Sequence, residues 1–103
     1  MTPPLSSRTK QLVENFFSAN HVAEAVKRLE LDCGNMIPFY EDADEFQMER
    51  VRFTVIRLSE GQINKMINAI NEARFDLRDL FMAAGFGHDV NAHEKWAKEI
   101  LEK

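Results

Sequence analysis

The fold class is decided by SEGQINKMINAINEARFDLRDLFMAAGF, the stretch at positions 59–86. Its apolar residues recur three, four and seven positions apart, which is the spacing of one face of an α-helix. The phase of this pattern breaks near Phe75, and Asp76 has the side chain of a helix N-cap. The stretch therefore predicts two consecutive helices, whose apolar faces need partners from the rest of the chain.

Both predicted helices carry signals for their ends. Ser59 is followed three positions later by Gln62, the spacing of a capping box, so we expect the first helix to begin at Ser59. Gly85 can take the left-handed conformation that commonly ends a helix. Phe86 would then fold back onto Phe81, a contact that usually accompanies such an ending.

The composition indicates one globular domain. The chain has 103 residues, of which 45% are hydrophobic and 29% are charged. A formal net charge of −4 argues against a surface built for nucleic acid. The single Cys excludes an internal disulfide and favours a reducing compartment. No apolar run approaches the roughly 20 residues of a membrane span, and the first residues lack the apolar core of a signal peptide. We therefore expect a cytoplasmic protein without a membrane association.

Similar signals predict helices in the rest of the chain. The predicted helix starts are Ser6 or Ser7, Asn20, Asp42 with Glu45, and Asp89 or Asn91. The helix opened by Asp42 would run to about Leu58, and residues 1–5 would form a frayed tail. No segment shows a convincing β-strand alternation. We expect residues 1–103 to form a single all-α domain of about five helices in an irregular orthogonal bundle.

The predicted third helix has two apolar stripes instead of one. At about 100° per residue, the stripes are Met48, Val51, Val55 and Leu58 on one side and Phe46, Phe53 and Ile56 on another. Such a helix is either central in its own domain or half covered by a second subunit. For the second case, the candidate homodimer interface consists of Phe46, Arg50, Phe53, Ile56 and Arg57. In the competing intramolecular arrangement, Phe16 and Phe17 of the first helix cover the same stripe.

No group of residues in the sequence has the pattern of a catalytic or metal site. Cys33 lies on an apolar helix face, where a free Cys behaves as a small buried hydrophobe. His88 and His93 are five residues apart, so one helix face cannot present both. A structural zinc would also need more Cys ligands than this chain has. The sequence therefore predicts no catalytic residue, no metal and no cofactor.

Two polar features have both a functional and a structural interpretation. The acidic run of Glu41, Asp42, Asp44 and Glu45 can hold a cation or move protons, but carboxylates are also favoured at any helix start. Asn64, Asn68 and Asn71 form a candidate polar contact stripe on one helix, although Asn is a mediocre helix former. Their amides can bind a partner, and the alternative is a solvated face.

Three blocks of the chain carry a resemblance to a known family. They are IPFYED at 37–42, ERVRFTVIRLSEG at 49–61 and DLRDLFMAAGF at 76–86. In these blocks the chain resembles a family of small uncharacterised bacterial proteins, whose members typically carry Trp where this chain has Leu77. The resemblance implies an intracellular bacterial protein, and it supplies no activity, cofactor or catalytic residue.

The leading functional hypothesis is a non-catalytic interaction or regulatory protein that forms a homodimer and has an unidentified protein partner. One alternative is a helix-turn-helix-like DNA-binding regulator that uses the two helices of positions 59–84. Its second helix would expose Arg78, Asp79 and Met82, which is a poor surface for reading DNA. The other alternative is an enzyme of unidentified activity.

Overall fold

The computed structural model describes residues 4–38, 40–87 and 89–102. All regular secondary structure in these residues is helical, as the sequence predicts. The six helices are α1 Ser7–Phe16, α2 Ala19–Asp32, α3 Glu45–Ser59, α4 Ile63–Phe75, α5 Leu77–Ala83 and α6 Ala92–Leu101. The expectation of about five helices is therefore one too low. Asp76 leaves the helical conformation between α4 and α5, which confirms the two consecutive helices predicted for positions 59–86.

Helix α3 is the central element of the fold. It packs against α1, α4, α5 and α6, while α2 packs against α1 and α4. Every residue of α3 from 51 to 56 is buried, which explains why its sequence has two apolar stripes. Phe53 and Ile56 have no exposed surface, so they fill the core of the single chain and do not face a second subunit. This corrects the candidate interface at those two residues: α6, together with α1, covers the stripe.

The start of α3 lies two residues later than the acidic run suggests. Asp44 is the N-cap, and its carboxylate accepts from the Gln47 amide while the Gln47 side chain accepts from the Asp44 amide. The predicted capping pair of Asp42 and Glu45 is therefore wrong. Residues 41–43 form a turn in which the Ala43 amide donates to the Tyr40 carbonyl, and this turn delays the helix.

The connection from α3 to α4 also differs from the prediction. Ser59 is the last residue of α3, and its hydroxyl donates to the Ile56 carbonyl at 2.6 Å, so it does not cap α4. Glu60 and Gly61 then take left-handed conformations, with φ of 52° and 79°. The chain reverses on these two residues, and Gln62 becomes the residue before α4.

The predicted start of α2 at Asn20 is wrong, because the helix begins at Ala19 and Ser18 is its N-cap residue. The predicted ends at Ser6, Asp76, Gly85 and Asn91 are confirmed. Ser6 caps α1 through a hydrogen bond from the Thr9 amide at 3.2 Å. Asp76 caps α5 through a hydrogen bond from the Asp79 amide at 3.1 Å. At the end of α5, Gly85 has a φ of +80°, and the next amide bonds back to the Phe81 carbonyl at 2.8 Å. These ends fix α5 across α3 and α4.

The expected frayed tail is shorter than residues 1–5. Leu5 is buried in the core cluster, and the Pro4 carbonyl accepts a hydrogen bond from Arg52 Nη1 at 3.2 Å. Arg52 Nε also donates to the Cys33 carbonyl at 3.0 Å, so one buried side chain ties α3 to both segments. Residues 1–3 lie outside the described part of the chain.

Candidate functional site

An ion pair between the partly exposed Arg8 and the enclosed Glu49 joins α1 to α3. The Glu49 carboxylate is almost fully enclosed, and Arg8 Nη2 donates to its Oε1 at 2.7 Å. The Ser6 hydroxyl donates to Oε2 at 2.7 Å. These hydrogen bonds offset the unfavourable burial of the carboxylate. The same Arg8 nitrogen reaches Glu94 of α6 at 3.4 Å, and its bond to Glu49 is the main reason that the pKa of Arg8 is raised.

His93 of α6 is the polar side chain with the most unusual environment. It is 0% exposed, and neither ring nitrogen makes a hydrogen bond within the described residues. Its ring packs against Phe46 at 4.8 Å and Phe53 at 5.6 Å between centroids. Burial lowers the pKa of His93, because the apolar surroundings disfavour the charged ring. The sequence places His93 on the buried side of its helix, but it does not show that both nitrogens lack a partner.

The remaining residues of the candidate homodimer interface lie against aromatic rings of the same chain. The Arg50 guanidinium carbon is 4.0 Å from the centre of the Phe81 ring, and Nη2 donates to the Phe86 carbonyl at 3.2 Å. Arg57 is exposed, with its guanidinium carbon 5.2 Å from the centre of the Phe86 ring. The half-buried ring of Phe46 contacts His93. These contacts give the side chains an intramolecular role.

The other candidate reactive groups are placed as structural residues. Cys33 is fully buried, and burial raises the pKa of its thiol to about 12. The carboxylates of the acidic run are spread over a turn and the start of α3, where Asp44 acts as the cap. His88 lies outside the described residues. Within the described ranges, no group of three or more His, Cys, Asp or Glu side chains is arranged to hold a metal.

The exposed face of α4 carries the predicted Asn stripe. Asn64, Asn68 and Asn71 are all exposed, and Phe75 continues their row at the end of the helix. Phe75 is 90% exposed, more than any other large apolar side chain in the described residues. Sequence reasoning did not single out Phe75 as a surface residue. The available signal was the break in phase, because Phe75 does not share the buried face of Met66 and Ala69.

An open groove of about 710 Å³ runs beside this row, between α4 and α5. Its floor is apolar, and its rim carries charges of both signs. Leu58, Ala69, Leu80, Met82 and Ala83 form the apolar part, and Lys65, Asn68, Glu72 and Asp79 form the polar part. Asn71 lies on the opposite flank, in a smaller cleft of about 130 Å³ towards α2. The face therefore offers exposed apolar side chains, amides and charges on the packed pair of α4 and α5.

A second open groove, of about 600 Å³, lies between α1 and α6. It is lined by Arg8, Gln11, Asn91, Glu94, Lys95, Lys98, Leu101 and Glu102. Its cations are largely engaged, since Arg8 pairs with Glu49 and Lys95 pairs with Asp89 at 2.8 Å. Because positive and negative side chains pair with each other here, the groove does not favour anionic over cationic ligands.

Comparison with family models, with curated proteins and with solved structures found no match for this chain. The resemblance in the three sequence blocks therefore remains an expectation. No helix in the described residues has both the length and the apolar character needed to cross a membrane.

Proposed function

We propose that this chain is a non-catalytic interaction protein of the bacterial cytoplasm that works as a homodimer through the exposed face of α4. The observation that carries the proposal is Phe75, an aromatic side chain that is 90% exposed at the end of a continuous row of amides. Aromatic side chains are enriched in protein interfaces relative to the rest of a protein surface. We also propose that the helices of this domain cross at steep angles, as in an irregular orthogonal bundle.

The spacing of the row suits a helix-to-helix seam. Asn64, Asn68, Asn71 and Phe75 follow one another at intervals of four, three and four residues, which is the alternation of the contact positions in paired helices. In an antiparallel pair about a twofold axis, Asn68 of one copy lies opposite Asn71 of the other. Asn64 then lies opposite Phe75. Asn amides can donate and accept, so facing Asn side chains can satisfy each other.

The same twofold axis brings the positive charges beside the row of one copy close to the negative charges beside the row of the other copy. Lys65 and Glu72 lie on one flank of α4, seven residues apart and therefore two turns apart. In the antiparallel pair, Lys65 of each copy approaches Glu72 of the other copy. Within one chain Lys65 pairs with Glu60 at 3.2 Å, and this exposed pair is weak enough to exchange for an intermolecular one.

The predicted dimer is weak. The 13 residues of α4 extend over roughly 20 Å, which limits the area that the seam can bury. Asn side chains at contact positions fix the register at the expense of stability. Phe75 and Met82 supply the main apolar contacts, so we expect a dissociation constant in roughly the micromolar range or weaker.

Sedimentation velocity over a range of about 10 μM to 1 mM tests the proposal. The wild type is expected to shift from monomer towards dimer with rising concentration, and Phe75→Glu to stay monomeric. Leu31→Glu and Val90→Glu are matched controls, because these side chains are 59% and 58% exposed on other surfaces. A wild type that stays monomeric throughout, or a dimer equally weakened by all three variants, contradicts the proposal.

The two alternative functions have less support. A DNA-binding use of α4 and α5 would rely on α5, which has seven residues and in which the basic Arg78 is followed directly by the acidic Asp79. Such a surface offers little attraction to phosphates. An enzyme would need reactive groups that converge on a cavity, and Cys33 is enclosed in the core.

A further inference from the structure

His93 is held in a place that suits only its neutral form. The ring has no exposed surface and lies between Phe46 and Phe53, and neither nitrogen meets a hydrogen-bond partner in the described residues. A neutral imidazole can be tolerated there, since its apolar ring fills the space between the two Phe rings. A protonated ring would place a charge and two N–H donors in the same apolar space, which is strongly unfavourable.

The charged groups around His93 are already balanced. Glu49 and Arg50 face it from α3, Arg8 faces it from α1, and Glu94 is its neighbour on α6. Both carboxylates are engaged by Arg8, which lies 2.7 Å from Glu49 and 3.4 Å from Glu94. Two carboxylates and two guanidinium groups leave no net negative charge for an additional proton on the ring.

Among the described residues, few polar contacts hold α6 against the rest of the domain. Its ion pair with α1 is the one between Arg8 and Glu94, in which both side chains are partly exposed. The Lys95–Asp89 pair is local to the start of α6. Apolar packing around His93 and Trp96 therefore supplies most of the attachment, and Trp96 contacts aromatic rings of α1 and α3.

We propose that His93 forms an acid-sensitive contact: protonation of its ring releases α6 from α3 and exposes the aromatic face formed by Phe46 and Phe53. With α6 released, the ring reaches water and keeps its proton without a penalty. The inference does not depend on the proposed dimer, since its residues lie on α1, α3 and α6.

The direction of the pH dependence follows from linkage. Burial lowers the pKa of His93 in the closed form, whereas a released ring has the ordinary value of about 6.5. The open form therefore binds more protons as the pH falls. The ratio of open to closed molecules is expected to rise by up to about tenfold per pH unit below pH 6.5, and to level off below the pKa of the closed form.

The only Trp of the chain is a natural reporter of this opening, because Trp96 lies three residues after His93 on α6. Acidification from about pH 7.5 to about pH 5 should shift its emission to longer wavelength. Far-UV ellipticity should fall by no more than the share of one ten-residue helix. The His93→Phe variant keeps an aromatic ring in the space and should lose the transition, while the control His21→Gln, at an exposed position, should keep it.

Two outcomes of the acidification experiment overturn the proposal. One is an emission change that persists in His93→Phe, and the other is a loss of all ellipticity at the same midpoint as the emission change. A second measurement on the wild type covers the case in which His93→Phe does not fold. NMR titration of the His93 ring should give a pKa below 6.5 in the closed form, and a value at or above 6.5 with α6 still in place contradicts the inference.

Discussion

The guanidinium of Arg50 stacks on the ring of Phe81, with 4.0 Å between Cζ and the ring centroid. The same guanidinium donates to the Phe86 carbonyl at 3.2 Å. One side chain of α3 therefore holds both α5 and the residues that end it. The planar shape of Arg is needed for this double contact, since an ammonium group cannot stack and donate in the same geometry.

The Arg50→Lys variant is expected to be about 1 kcal/mol less stable than the wild type, because it loses the stacking over Phe81. Arg50→Ala should lose about 2 kcal/mol, since it also removes the packing of the long stem. Urea denaturation measures both values. Arg57→Lys is the matched control: Arg57 is exposed, and its Cζ lies farther from its ring, at 5.2 Å from Phe86. An equal effect at the two positions would contradict the role given to Arg50.

Gly61 and Gly85 both have left-handed backbones, yet substitution should affect them unequally. A Cβ at Gly85 meets nothing within 4 Å, so Gly85→Ala suffers only the conformational penalty, about 1 kcal/mol. The β-branched Gly85→Val should lose at least as much. A Cβ at Gly61 would overlap the Phe16 carbonyl oxygen, so Gly61→Ala should be clearly less stable than Gly85→Ala. Thermal unfolding of the three variants checks this order, and an unchanged Gly85→Val would show that the left-handed conformation is not required.

Removing only Arg8 from its ion pair with Glu49 should destabilise the protein more than replacing both residues by apolar ones. Arg8→Leu leaves the enclosed carboxylate with the Ser6 hydroxyl as its remaining side-chain partner, and we expect a loss of about 1–3 kcal/mol. The double variant Arg8→Leu with Glu49→Leu should recover part of that loss, since no buried charge remains. A double-mutant cycle by chemical denaturation measures the difference. Strictly additive single effects would mean that the two side chains do not interact.

Cys33 should be inert in the folded protein. Its thiol is enclosed, and a pKa of about 12 leaves almost no thiolate at neutral pH. Ellman's reagent at about pH 8 should react very slowly with the native chain and with one thiol per chain in denaturing guanidinium. Rapid reaction of the native protein would show that the segment around Cys33 opens readily.

Local signals predicted some, but not all, of the helix ends that depend on neighbouring residues. Asp76 begins α5 and Gly85 ends it through contacts within a few positions, so the local sequence was sufficient to predict both. Ser59 was misassigned because the capping-box spacing also arises by chance. The chain instead uses the left-handed pair Glu60 and Gly61, and Gly61 was the signal available for it.

The elements that pack against α3 could not be predicted from the residues next to it in the sequence. Two apolar stripes showed that α3 needs cover on two sides, but spacing alone does not say whether α6 or a second chain supplies it. The burial of Phe53 depends on Trp96, which is 43 residues away in the sequence. The exposed position of Phe75 is a similar case, since its surroundings depend on where α5 turns.

Directed disulfide formation tests the proposed dimer most directly, because Cys33 is buried and an introduced thiol would be the only reactive one. A tagged Asn68→Cys chain is mixed with an untagged Asn71→Cys chain, and the mixture is oxidised. In the control mixtures, a chain that carries Leu31→Cys takes the place of one of the two. The antiparallel arrangement predicts that the mixed disulfide between positions 68 and 71 forms faster than any pairing with position 31. Cross-linking no faster than with the Leu31→Cys chain would contradict a dimer through α4.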